Sequence, residues 1–540
     1  MKKYKLGLWL LTGIVSCSVL AGCGGSTESS TVKNEQAQVQ QASGEKSNEL
    51  VFVNYRDIRD LNPHLYAGEM YAQEMLYETL VNITADGYEG CLAESWEISE
   101  DGKIYTFKIR EGVTFSDGEV CDAYAIKANF DAIIENKERH TWLEMMNLLV
   151  GVSAPDESTF IIELSEPYYP MLTELGVTRP FAMISPKAMK DGSTKDGVEV
   201  YIGTGPYVLT EVVTDEYAIF ERNENYWGEK PEIQQITVKV IPDNQTRILA
   251  LEKGEIDLIF GKNMIDADAV NKYIDSSEFE VALSDPTSTR HIVLNTSNEI
   301  LSDTSVRKAL QHATNREAIS QGIFYGLETP ADTLYATTVP YCDINLEPYA
   351  YDTERASQLL EEAGWILGEN GIRSKDGKAL NLSLLYNSDS VTEKTIAEYL
   401  QSEYQKLGIQ LMISGEEEQS YRDKMKSGNF DMVFNICWGT PYDPQSSLAA
   451  MRAPVYGDYA AQLGLHDKKE IDEAISKILV STDEVERQQL YTFVLTRLHE
   501  DAVYIPLTYE CNKAIYTSEL EGVTFMQTQY EVPFADMYFQ

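Results

Sequence analysis

The spacing of apolar residues along the chain divides it into elements. "ELVFVNYRDIRDLNPHLYAGEMYAQEMLYETLV" (49–81) reads as a strand, a loop at Asn62-Pro63 and then a helix. "DGKIYTFKIREGVTFSDGE" (101–119) reads as a hairpin with Asp101-Gly102 and Asp117-Gly118 as turns. "DAYAIKANFDAIIEN" has helical apolar spacing, and "STFIIELSEPYYP" is a strand stopped by proline. Strands at "YAIFERN" and "EIQQITVKVI" precede a helix, a glycine turn and a short buried strand in "DNQTRILALEKGEIDLIFG". From about Pro286 helical spacing dominates, with helices predicted at 304–312, 353–363, 392–407, 417–426, 470–479 and 484–500. The last begins in a capping box from Ser481 to Glu484. Strands "LNLSLLY", "IQLMIS" and "FDMVFNIC" lie between these helices, and the alternation predicts an α/β unit with a largely parallel sheet. "AVYIPLTY" and "EGVTFMQT" return to β spacing, as expected of a chain that crosses back to complete its first half. No internal repeat is present.

One stretch does not fit an element. "WGTPYDPQSSLAAMRAPVY" (438–456) leaves a strand in which Phe430, Met432, Phe434 and Ile436 alternate as on a half-buried face. It is a loop crowded with flat rings and one arginine, and it contains no histidine.

The N-terminus reads as an export signal. "MKKYK" is a basic start, and residues 6–20 form an apolar run shorter than the about 20 residues a bilayer span needs. It ends in "LAGC", where small residues precede Cys23. This resembles a bacterial lipobox and implies removal of residues 1–22 and lipidation of Cys23. Residues 23–48, rich in Gly, Ser, Gln and Glu, read as a flexible tether.

The formal net charge of −42 repels nucleic acid, so an anionic ligand needs a local cationic pocket. Beyond Cys17 and Cys23, five scattered cysteines remain, read as buried small residues outside any disulfide framework. The sequence has no GxSxG, HExxH or GxxxxGK[ST] motif, and "GTGPY" (203–207) lacks the third glycine of a dinucleotide loop. None of the six histidines is spaced i, i+4 with another. The glutamates at 416–418 suit a helix start.

"LAESWEISEDGKIYTFKIREGVTFSDGEVCDAYAIKANF" (92–130), "IGTGPYVL", "ERNENYWGEKP" and "GEIDL" together resemble the family 5 solute-binding proteins of ABC importers. The resemblance runs over 49–540. It implies an α/β, two-lobed periplasmic-binding-protein fold (type II, cluster C) with a hinge and an interlobe ligand cleft. Lobe I would span 49–285 and 506–540, and lobe II 286–505. It also implies a monomeric carrier, not an enzyme, with no cofactor, held outside the cytoplasmic membrane and serving a permease and its ATPase subunits.

Within that family, "LNPHLY", "RHTWLEMMN", "YYPMLTELGVTRPF", "ADTLYATTVPY", "GEEEQS", "WGTPYDP" and "TRLHEDAVYIP" resemble the nickel-binding members. Those take up metal wrapped in a small organic metallophore of histidine or polycarboxylate type. Carried over by motif, the ligand-binding residues are Arg179 first, then Arg139, Trp142, Trp438, Tyr442, Tyr66 and Met70. Elementary chemistry agrees: arginine offers a planar fork to carboxylate, and Trp and Tyr supply rigid walls with a polar edge. Pro180 disfavours helix at Arg179 and suits a loop position. In nickel binders a histidine after "MR.P" reaches the metal, but this chain has "MRAPVY", with Tyr456 in that place. The implication is that the chelator supplies all or nearly all of the metal's coordination, with Arg452 and Tyr456 bonding chelator oxygens and no direct protein ligand. The alternative within the fold is a di- or oligopeptide receptor. Dipeptide binders place an aspartate after the loop tryptophan, where this chain has Pro441; Asp443 is read as structural.

Overall fold

Runs of β-branched and aromatic residues bounded by turn residues build one large sheet and several small ones. The computed structural model describes residues 48–84, 87–262, 264–439, 441–454, 456–526 and 530–540. The predicted signal segment, Cys23 and the tether up to residue 47 lie outside the described residues. The described chain belongs to one compact unit, 46–540.

The large sheet has eleven strands. At its centre Phe279–Leu294 and Tyr504–Thr517 pair antiparallel. Glu49–Asn54, Gln235–Val240, Tyr217–Arg222 and Tyr207–Val213 extend one side through Leu258–Phe260. On the other side Met432–Ile436, Asn381–Asn387 and Gln410–Glu416 follow, and these three run parallel. The expected lobe boundaries at 285/286 and 505/506 fall inside the two long central strands.

A second sheet of four strands, ordered Ala93–Ile98, Ile104–Ile109, Thr159–Leu164 and Leu149–Asp156, packs against helix Ala123–Glu135. Its core is continuous with buried residues of the C-terminal helices, including Leu448, Ile475, Tyr491 and Leu498.

Most predicted elements are present, and helix Glu484–Glu500 matches its predicted bounds. Four differences are instructive. The turn at Asp101-Gly102 joins Ile104–Ile109 to the preceding strand Ala93–Ile98, whereas Asp117-Gly118 only closes a small bridge from Thr114 to Val120. The cap of helix Glu484–Glu500 is Asp483, whose carboxylate accepts from the Val485 and Glu486 amides; Ser481 instead bonds Glu486. Met432–Ile436 has an apolar cluster on each face, Met432 and Phe434 packing in one and Val433 in the other, so all three are buried, and Ile436 is exposed. In the last predicted strand only Leu520–Glu521 pairs among the described residues. The glycines of "GTGPY" pack on the end of helix Met70–Leu76: an added Cβ at Gly203 would overlap the Leu76 carbonyl oxygen. The five cysteines Cys91, Cys121, Cys342, Cys437 and Cys511 are buried and free.

Candidate functional site

Arg179 lies in the short turn Thr178–Phe181 with extended backbone angles (φ −110°, ψ 119°), as the following proline requires. Its Nε donates to Gln73 Oε1 at 2.6 Å, and its Nη2 donates to the Gly68 carbonyl. Gly68 is fixed as glycine by a close approach, since a Cβ there would overlap the Asp60 carbonyl oxygen. Both acceptors are neutral. Among the described residues Arg179 pairs with no carboxylate, and Nη1 has no partner. Nearby Glu69 is engaged by Arg56 at 2.6 Å. Burial lowers the Arg179 pKa, with Glu74 and Glu69 opposing. The guanidinium is held in orientation, with Glu74 and Glu69 near it but no carboxylate in direct contact among the described residues.

Five rings gather in the same region. Trp142 lies 6.1 Å from Tyr66, 6.3 Å from Trp438 and 6.0 Å from Tyr442, centroid to centroid. Trp438 lies 6.4 Å from Tyr442 and 5.4 Å from Tyr456. These are edge or tilted contacts, the arrangement that aromatic quadrupoles favour. The cluster joins residues from three distant parts of the chain, so its walls depend on tertiary packing.

Hydrogen bonds fix the rings. The Trp142 indole N–H donates to the Tyr66 oxygen at 2.8 Å, and the Tyr66 hydroxyl meets His140 Nδ1 at 2.7 Å. His140 is fully buried, which pushes its imidazole down to about 4 and keeps it neutral. Tyr66 is raised to about 12 by burial, against the Trp142 bond and the charges of Arg179 and Arg139. Burial raises Tyr442 further, in the company of Tyr530, Glu531, Glu74 and Arg179.

The supports are local. Glu174, on the stretch leading to Arg179, accepts from the Tyr168 hydroxyl at 2.5 Å and from the Met145 amide at 3.1 Å. This ties the Arg179 segment to the Trp142 segment, and burial raises Glu174 to about 7. In the ring loop Asp443 Oδ2 accepts from the Gly439 amide at 2.6 Å, and the Asp443 amide donates to the Gly439 carbonyl at 3.0 Å. Asp443 is buried and raised to about 7 by that burial; it braces the turn.

The sequence-predicted residues are therefore brought together unequally. Tyr66, Trp142, Trp438, Tyr442 and Tyr456 form the ring cluster, with Arg179 beside it. Met70 opens the helix that carries Gln73. Arg139 is exposed, and its side chain makes no hydrogen bond or ion pair among the described residues. Arg452 turns elsewhere: its Nη1 donates to Ser476 Oγ at 2.8 Å, on helix Lys468–Val480. Gln73, Gly68 and His140 are the supporting residues that motif reasoning did not assign. Only the adjacency of Gln73 to Met70, and of His140 to Arg139, pointed toward them. No group of three or more His, Cys, Asp and Glu among the described residues could hold a metal ion.

Comparison with known proteins places this geometry. Residues 87–458 match the model of the bacterial extracellular solute-binding proteins, family 5 Middle. The nickel-binding periplasmic protein of Escherichia coli (strain K12) is 41% identical over 482 residues, covering 88% of this chain and 92% of that protein. The dipeptide-binding protein of the same organism is 26% identical over 490 residues, covering 85% and 89%. The crystal structure of NikA from Brucella suis in complex with Fe(III)-EDTA superposes with a TM-score of 0.89 at 46% identity, over 91% of this chain and 100% of that one.

Proposed function

The chain belongs to the bacterial extracellular solute-binding proteins of family 5, and from that premise we propose that it captures a nickel ion, or a related transition metal, wrapped in a small organic chelator. Members of this family carry solutes for ABC importers and do not transform them. The observation that carries the proposal is Arg179: a partly buried, oriented guanidinium whose direct acceptors among the described residues are neutral, beside a wall of five rings, in a strongly acidic chain. Such a site selects a compact ligand that presents carboxylate oxygens beside flat or apolar surfaces. A metal held by histidine or a polycarboxylate has that character, and 41% identity to a nickel-binding protein favours it.

The chelator supplies the metal's coordination. Tyr456 meets Trp438 in the wall, and a phenol oxygen is a poorer nickel ligand than an imidazole nitrogen. Arg139, exposed and unengaged, is placed to close on a second carboxylate. The cleft lies between a lobe of 49–285 with 506–540 and a lobe of 286–505. A lipid on Cys23 anchors the mature protein at the membrane surface, where it works as a monomer and delivers the loaded form to the permease and its ATPase subunits.

The peptide alternative has a relative in the 26% identical dipeptide-binding protein. Asp443, the acid of the ring loop, is instead engaged by the Gly439 turn. Tryptophan fluorescence tests the proposal. Addition of Ni²⁺ with L-histidine is expected to quench Trp142 and Trp438, and a dipeptide mixture is not. The reverse pattern would transfer the function to peptide uptake.

A further inference from the structure

The Arg179 segment and the ring loop are joined at a second place, away from the rings. Tyr169, shortly before Arg179, donates its amide to the Leu479 carbonyl at 3.0 Å, near the end of helix Lys468–Val480. Its ring lies on Arg487, with Cζ 3.4 Å from the centroid. Its hydroxyl donates to Glu484 Oε1 at 2.5 Å, and Tyr341 donates to Glu484 Oε2 at 2.8 Å.

Arg487 is 0% exposed. Its donors go to neutral oxygens: the carbonyls of Ile478 and Ser481, Gln445 Oε1 at 3.2 Å, and the Tyr341 hydroxyl at 3.2 Å. Among the described residues no carboxylate pairs with it. Gln445 opens the short helix Gln445–Ala450 that interrupts the predicted loop 438–456, and its amide donates to Thr173 Oγ1 at 3.4 Å, between Tyr169 and Arg179. One guanidinium thus touches both halves of the candidate site without touching its ligand space.

We propose that Arg487 and Tyr169 form a clasp that holds the cleft closed and sets how long a bound chelate is retained. They are positioning residues, and the inference rests on the cleft reading given above. A buried guanidinium without a counter-ion is tolerated only while its donors are used and its faces covered. Tyr169 supplies the nearest part of that cover when the cleft is closed, a cation–π contact of the strong, desolvated kind, with the Tyr341 and Tyr491 rings farther off at 5.0 and 5.6 Å. When Tyr169 withdraws, water reaches the guanidinium, so opening strands no charge. Both states are tolerated, and a ligand that bridges Arg179 and the ring loop decides between them.

The test combines two measurements on the intact protein and on Tyr169→Ala and Tyr169→Phe. The first is the dissociation rate of Ni²⁺ with L-histidine; the second is the radius of gyration by solution scattering without ligand. Tyr169→Ala is expected to speed dissociation about tenfold and to enlarge the ligand-free radius. Tyr169→Phe keeps the ring on Arg487 and is expected to stay within about threefold of the parent. An unchanged radius for Tyr169→Ala overturns the clasp, as does an unchanged dissociation rate. If the parent binds no nickel–histidine, the functional reading falls, and the scattering result alone then decides the clasp.

Discussion

Arg179 Nε donates to Gln73 Oε1 at 2.6 Å, so a neutral amide, not a carboxylate, sets the direction of the guanidinium. An acid in that place would neutralise the charge a ligand must meet. Arg179→Ala is expected to weaken binding of nickel–histidine by more than tenfold with a nearly unchanged melting temperature. Gln73→Glu, which supplies the missing counter-charge, is expected to weaken it as well. Isothermal titration of both variants checks this, and parental affinity in Arg179→Ala removes that residue from the site.

His140 touches the site only through Tyr66. Its Nδ1 is occupied at 2.7 Å, and the ring is fully buried. His140→Phe is expected to loosen Tyr66 and Trp142 and to weaken chelate binding several-fold. Because the imidazole is not a metal ligand in this account, the response to bare Ni²⁺ is expected to be the same in parent and variant.

Tyr456 offers a gain-of-function test. It lies 5.4 Å from Trp438, in the place where nickel binders of this kind carry a histidine. Tyr456→His is expected to add a nitrogen donor, shift the visible absorption of bound nickel and tighten binding. An identical spectrum in parent and variant would show that this position does not reach the metal.

Burial pushes the His64 imidazole down to about 3 from an ordinary 6.5. Its Nδ1 meets Thr194 Oγ1 at 2.9 Å. Above pH 6.5 the group is neutral in folded and unfolded chains and adds no slope. As the pH falls below 6.5 the unfolded chain takes up a proton that the folded chain refuses, so stability is lost down to about pH 3, by about 1.4 kcal/mol per pH unit. Other groups titrate in this window, so the difference between parent and His64→Asn isolates the contribution. Denaturant unfolding is expected to show the parent losing ground to His64→Asn as the pH drops from 6.5. Parallel pH profiles would contradict the burial argument.

Local signals were legible in the sequence, and long-range ones were not. Apolar spacing located helix Glu484–Glu500 at both ends because its pattern and flanking residues lie within a few turns. The cap was misplaced because Ser481 and Asp483 are both good N-cap types, and only the backbone geometry chooses between them. The strand Met432–Ile436 looked half-buried because alternation cannot show that apolar clusters cover both of its faces. Family motifs gathered Tyr66, Trp142, Arg179, Trp438, Tyr442 and Tyr456. They also proposed Arg452, whose guanidinium is drawn to Ser476 by a helix that follows later in the chain. Gln73 beneath Arg179, and Arg487 beneath Tyr169, carry no sequence signal of their own, because each acts through a partner distant in sequence.

The central claim is that the ligand is a metal already wrapped in its chelator. Calorimetric titration of the purified protein with Ni²⁺ alone, with Ni²⁺ plus excess L-histidine, and with a dipeptide mixture tests it most directly. The account predicts heat of binding only when nickel and histidine are present together. Tight binding of bare Ni²⁺, or a dipeptide signal with silence toward nickel–histidine, would contradict it.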